Sequence, residues 1–387
     1  MMALLLALAL VQDGEEIVLK NARILTVSGP EAKGFLVVAN GKIKEIVDEA
    51  PAGAKVVDLG GRIVIPGLID AGCTLGITGP TNEESEEVAP QVRVVDALDP
   101  RSPDLSRARQ NGVTAAFVAP GNRGVIGGVA SVIKTAGPSR AAMIVREDAA
   151  MKAAIGPGPT LGNFSPRGSP ATFFARRPTT RMGVAWEFRK AFFDARRYGE
   201  QHDRQDPGKE LLLQALGGKL PVRIASSRVT DLETALNAAE ELGLTISFEE
   251  AQEAYKRADL LAKRKIPVLL RPSMLGVPPF IGGEPVEARL DAFVLLIGAG
   301  VKTALLSTGD QLLSSVAFAV RHGAAPADAL RAVTLTPAEI LGVADRLGSL
   351  EKGKDADLVV LSGEPHEATT RVEKVMIGGR WVFGDNR

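Results

Sequence analysis

The chain has 387 residues, 45% of them hydrophobic, which is enough for a barrel-sized domain and a smaller satellite. Its 46 basic and 46 acidic side chains cancel, which excludes the basic surplus that a nucleic-acid or anionic-membrane partner requires. Aromatic residues make up only 4%, too few for a surface that stacks bases or long sugars.

The chain starts MMALLLALALVQDG. Leu4 to Val11 is a short apolar run, and Ala7-Leu8-Ala9 has the small-x-small form of a cleavage site. Residues 1–12 therefore read as the end of a secretory signal peptide, although the basic segment that opens such peptides is missing. That reading implies a periplasmic or secreted protein. A disordered or misassigned start would instead leave a cytoplasmic one. The run is too short to span a bilayer, which takes ~20 apolar residues, and no other segment qualifies.

From Ile17 to Val64 the pattern is β. IVLKNARILTV, GFLVVANGKIKEIV and AKVVDLGGRIVI are strand-like runs parted by turn residues. Asn40-Gly41 predicts a hairpin, since this pair supplies the positive φ angles of a type I′ turn. After Pro66, short β-branched runs alternate with helical stretches, and residues 225–243, 249–265 and 314–334 read as amphipathic helices. Residues 114–120, 221–226, 244–250, 266–272 and 301–307 read as buried parallel strands. Such alternation over residues 67–346 predicts a (β/α)8 TIM barrel. Gly156 to Pro178 reads as a long loop over one face of it. From residue 347 the chain returns to β, so residues 15–66 and 347–387 predict one composite β-sandwich domain formed by both termini.

Four segments carry a family resemblance. VIPGLIDAGCTLG (64–76) resembles the amidohydrolase-superfamily motif in which Pro-Gly-Leu-Ile-Asp leads into a His-x-His pair. LGSLEKGKDADLVVLSGEP (347–365) is similar to that superfamily's C-terminal signature. NGVTAAFVAPG (111–121) resembles its second-strand region, and LRAVTLTPAEILGV (330–343) its last barrel helix. The nearest subgroup is the imidazolonepropionase- and prolidase-like branch. The resemblance implies hydrolysis of non-peptide C–N bonds, with zinc or another divalent metal activating a water. It also implies the ligands: His-x-His on strand 1, a Glu or carboxylated Lys on strand 4, one His each on strands 5 and 6, and an Asp on strand 8.

This sequence departs from that set. Its only histidines are His202, in a polar stretch, His322, at a helix end, and His366, in the returning β region. The strand 1 positions hold Gly72 and Thr74, and the strand 5 positions fall at Ala225 and Ser227. None of these is a firm zinc ligand. Strand alternation turns Cys73, the single cysteine, toward the helices as a small buried hydrophobe. Glu250 stands where strand 6 should carry His, and is either a ligand or a charge at a helix start. Asp310 is the surviving candidate for the catalytic Asp, with a helix N-cap as the alternative. Lys152 is the candidate for the carboxylated lysine, although without histidines a carbamate has nothing to bridge. Arg181, in an arginine-rich stretch, is a candidate carboxylate clamp or part of a solvated helix face.

The expectation is a degenerate amidohydrolase that needs no metal cofactor and keeps a pocket for a small-molecule ligand. Two alternatives stay open. One is an active hydrolase with altered or metal-independent chemistry at Asp310, assisted by Arg181, Lys152 or Glu250. The other is a non-catalytic subunit, forming a homo-oligomer or pairing with an active homologue.

Overall fold

The computed structural model describes residues 16–161, 163, 177–201, 204–273, 280–281, 284–307 and 311–384. The early strands are β1 (Ile17–Ile24), β2 (Phe35–Ala39), β3 (Lys42–Val47) and β4 (Lys55–Pro66). Next come β5 (Leu68–Cys73), β6 (Val113–Val118), β7 (Ile126–Lys134), β8 (Ile144–Ala154), β9 (Val222–Ser226), β10 (Ile246–Glu250) and β11 (Val268–Leu270). The chain closes with β12 (Phe280–Ile281), β13 (Glu284–Pro285), β14 (Thr303–Leu305), β15 (Leu358–Leu361), β16 (Val372–Ile377) and β17 (Arg380–Phe383).

β1–β4 and β15–β17 form a seven-stranded sheet in the order β17-β16-β15-β4-β1-β2-β3. It curls around an apolar cluster that includes Leu19, Ile24, Leu36, Ile43, Leu358 and Met376. Two hairpin turns meet as it curls. Asn40 and Gly41 have φ of 51° and 75°, as the Asn-Gly pair predicts. Gly379, at φ 75°, packs so close that a Cβ there would lie 2.9 Å from Gly41 Cα.

Eight more strands make the barrel, ordered β14-β11-β10-β9-β8-β7-β6-β5, while β12 and β13 pair only with each other. Their residues are buried on both faces, all six of β6 for example, which is why they read as apolar runs without alternation. Residues such as Val222, Ile224, Phe248 and Leu270 face the helices. Ile69, Ala115, Phe117, Leu269 and Leu306 fill the lumen. Between the edge strands β14 and β5, Ser307 Oγ donates to Asp70 Oδ2 at 2.6 Å.

Three local expectations need correction. β7 runs antiparallel to β6 and β8, so the barrel is not uniformly parallel. Residues 119–125, which join β6 to β7, are too few for a parallel crossover, which takes a dozen or more. The helix expected after Glu249 is a 3-10 turn, Ala254–Arg257, followed by Ala258–Lys263. The helix expected over residues 314–334 is divided into Leu312–Arg321 and Pro326–Arg331, with Gly323 at φ 102° between them and Pro326 opening the second.

The segments that frame the motifs have packing roles of their own. A Cβ at Gly67, in the Pro-Gly-Leu turn between β4 and β5, would overlap the Thr114 side chain. Asp355 and Asp357 of the C-terminal signature each hold Lys134 Nζ, on the reversed strand, at 2.9 Å. Lys42 and Arg346 also contact Asp355, at 2.5 and 2.9 Å. Barrel and sheet are therefore joined by a largely buried ionic cluster. No helix among the described residues is long and apolar enough to cross a membrane.

Candidate functional site

The carboxyl ends of the parallel barrel strands surround a cavity of about 360 Å3. Its wall includes Gly72, Thr74, Asn122, Glu249, Glu250 and Arg271. An adjoining hollow of about 250 Å3 shares Asn122 and Glu250 and reaches Ala225, Ser226 and Ser227. In a (β/α)8 fold this end of the barrel is where ligands bind.

Beneath the cavity, three charged side chains meet inside the lumen. Lys152 on β8 is directly across from Arg223 on β9, and Ala225 on β9 is across from Glu249 on β10. Lys152 Nζ lies 2.5 Å from Glu249 Oε1. Arg223 Nη1 lies 3.7 Å from Glu249 Oε2 and donates to Ala71 O at 2.9 Å. Arg223 Nε donates to Ser247 Oγ at 2.8 Å, and the guanidinium rests 4.4 Å from the Phe117 ring centre. All three side chains are almost wholly buried.

Burial sets the electrostatics of this trio. It pulls the Lys152 ammonium below its ordinary value, against the pull of Glu249. It likewise brings Arg223 down to about 10. Burial alone would raise the Glu249 carboxyl, but Lys152 and Arg223 outweigh it and hold the group below the usual range. Lys152 thus pairs with one oxygen of Glu249, and the other, Oε2, is left without a hydrogen-bond partner.

A second layer forms the rim. Arg271, just past β11, donates through Nε to Glu250 Oε2 at 2.8 Å and through Nη1 to the Ser307 carbonyl. Glu250 and Ala251 have φ of 70° and 44°, a left-handed turn that non-glycine residues seldom adopt. Strain of this kind collects where a fold holds side chains in place for binding, at ~1–3 kcal/mol per residue.

The structure brings together Gly72, Thr74 and Glu250 around the main cavity, and places Ala225 and Ser227 on the adjoining hollow. Lys152 is on the fourth barrel strand, below the cavity. The resemblance matched Glu250 to the strand 6 ligand, but Glu249 points into the lumen. Arg181 does not line the cavity. Its Nε is 2.7 Å from Asp231 Oδ1, so it ties one helix to another. Cys73 packs against the outer core cluster, and its thiol lies 3.6 Å from Phe117 O. His322 caps its helix as expected. Asp310 and His202 lie outside the described residues, as do residues 1–12 and most of the Gly156–Pro178 loop.

Sequence reasoning missed Arg223, Glu249 and Arg271. A signal for two of them was present. Arg223 interrupts an otherwise apolar strand, and Ser247 and Glu249 alternate with Ile246 and Phe248, the pattern of a strand with one polar face inward.

Among the described residues, those at the expected ligand positions do not fit the divalent metal that the resemblance implies. Gly72, Thr74, Ala225 and Ser227 supply no imidazole or carboxylate. Lys152 holds the fourth-strand position, but its nitrogen is engaged by Glu249. A carbamate there would set a second anion against that carboxylate. Among the described residues, no three of His, Cys, Asp and Glu gather as a metal-holding group.

An eight-stranded barrel with its pocket at the strand ends, joined to a sheet from both ends of the chain, is the architecture of amidohydrolases. Comparison with known proteins agrees. The crystal structure of an amidohydrolase from Thermotoga maritima MSB8 matches with a TM-score of 0.87 and 32% identity, over 95% of this chain and 99% of that one. The model described as the amidohydrolase family matches residues 231–382. The chain belongs to the amidohydrolase family. Amidohydrolase tasK of Hapsidospora irregularis is 27% identical over 91% of this chain, which spans 40% of that relative's length. An imidazolonepropionase of Solibacter usitatus is 31% identical over 157 residues, 40% of this chain and 37% of that one.

Proposed function

We propose that this chain is a metal-free amidohydrolase, whose barrel mouth binds a small polar molecule without metal-assisted hydrolysis. The observation that carries this reading is the Lys152–Glu249 ion pair, 2.5 Å long, inside the lumen. It gives the lysine a carboxylate partner where the family would use it to bridge metal. A catalytic zinc needs about three protein ligands and an open position. Among the described residues, the lumen offers the Glu249 carboxylate, one oxygen of which Lys152 already holds. The framing motifs are retained for a different reason: Gly67 allows close packing, and Asp355 and Asp357 neutralise Lys134.

Elemental analysis of protein produced in zinc- and manganese-supplemented medium tests this reading. The expected metal content is far below one ion per chain, with a melting temperature unchanged by chelator. One tightly held ion per chain, removed by chelation together with hydrolysis of a small amide, overturns it.

A further inference from the structure

We propose that the barrel mouth receives a small zwitterion of the amino-acid class, with its ammonium end at Glu249 and Asn122 and its carboxylate end at Arg271. This rests on the metal-free reading above and adds the chemistry of the ligand.

Two atoms point to the ammonium. Glu249 is 5% exposed, lines the cavity, and has no hydrogen-bond partner for Oε2. Arg223 Nη1 is 3.7 Å from that oxygen, too far for a hydrogen bond. Asn122 Oδ1 is likewise buried without a partner, on the same cavity. Both atoms accept and neither donates, so the group that satisfies them must carry N–H or O–H donors. One oxygen belongs to a carboxylate, which favours a cationic donor.

The opposite charge has its own place. Arg271 commits Nε to Glu250 and Nη1 to the Ser307 carbonyl, which leaves Nη2 for a ligand in the cavity it lines. Arg107 adds a second positive side chain to the wall.

Net charge decides between a zwitterion and a simple ion. The wall holds the acids Asp104, Glu249 and Glu250 and the bases Arg107 and Arg271. Lys152 and Arg223 stand behind Glu249, and Asp70 behind Ser307. Among the described residues, acids and bases are therefore equal in number. A lone anion or cation would leave a charge uncompensated in a half-closed site, whereas a zwitterion would not. Leu75, Ala119 and Pro120 supply an apolar stretch of wall for a side chain.

The test uses the full chain after its metal content has been measured. The standard L-amino acids are screened by thermal shift. The best binder is then titrated calorimetrically beside its decarboxylated amine and its deaminated acid. Saturable binding by the amino acid is expected, with each half weaker by about tenfold or more. Asn122→Ala should weaken the amino acid and the amine but not the acid. The proposal is overturned if no amino acid binds, or if either half binds as well as the whole. A stoichiometric metal content overturns the metal-free reading instead, before any titration. A metal-free chain that ignores amino acids overturns only the ligand assignment.

Discussion

Replacing Glu249 with Gln removes the carboxylate that pairs with Lys152 at 2.5 Å inside the lumen. A buried charge stripped of its partner costs ~3–5 kcal/mol. Lys152 can escape part of this by releasing its proton, and the cost of that release sets a ceiling. Deprotonating a lysine of ordinary value 10.5 takes ~1.4 kcal/mol per pH unit, so about 5 kcal/mol at pH ~7 and about 2 kcal/mol at pH ~9. The sign follows from proton binding: the unfolded variant holds the proton that the folded variant has released, so its stability rises with pH. Urea unfolding followed by circular dichroism at both pH values, with wild type alongside, measures the difference. The Lys152 share of the loss in Glu249→Gln should be large at neutral pH and fall to about 2 kcal/mol or less at pH ~9. Adding Lys152→Met should recover the part of the loss that Lys152 causes, while the Arg223 guanidinium, 3.7 Å from residue 249, keeps the remainder. A loss equal at the two pH values, or none at all, refutes the placement of this pair.

Four further outcomes follow from the same geometry. Wild type should lose stability as pH falls below 4.5, where Glu249 in the unfolded chain takes up a proton that Lys152 and Arg223 keep off the folded one; melts from pH ~6 down to pH ~3 check this. Gly72→Ala should cost less than ~1.5 kcal/mol, since the new Cβ meets only the Leu306 and Glu249 side chains, at 3.0 and 3.4 Å. Gly379→Ala should cost ~2 kcal/mol or more, because it forces a side chain into positive φ against the Gly41 backbone; thermal melts of the two glycine variants give the contrast. Arg181→Ala should lower stability by ~1–3 kcal/mol through loss of the Asp231 pair, while titration shows unchanged ligand affinity.

The fold was legible because its signals are periodic. Asn40-Gly41 announces its turn, and runs such as residues 221–226 have no solvent face to dilute them. The reversal of β7 was not legible, since a strand buried on both faces carries no mark of its direction. The site was legible only as a deficit at positions 72, 74, 225 and 227. What fills that deficit comes from Arg223, one turn of the pleat deeper, and from Glu249 rather than its neighbour Glu250. Which of two adjacent glutamates faces inward depends on a strand register that only the neighbouring strands define. Arg271 lies past the end of a three-residue strand, where its direction follows from the turn and not from any repeat.

The tie between Lys134 and Asp357 spans 223 positions of the chain. During synthesis the reversed strand emerges long before the acids that neutralise it, so the barrel cannot settle until the tail arrives. A fragment ending before the tail would keep an ammonium in an apolar wall. Such a truncation should be recovered as aggregate, and supplying the missing strands as a separate peptide should rescue it.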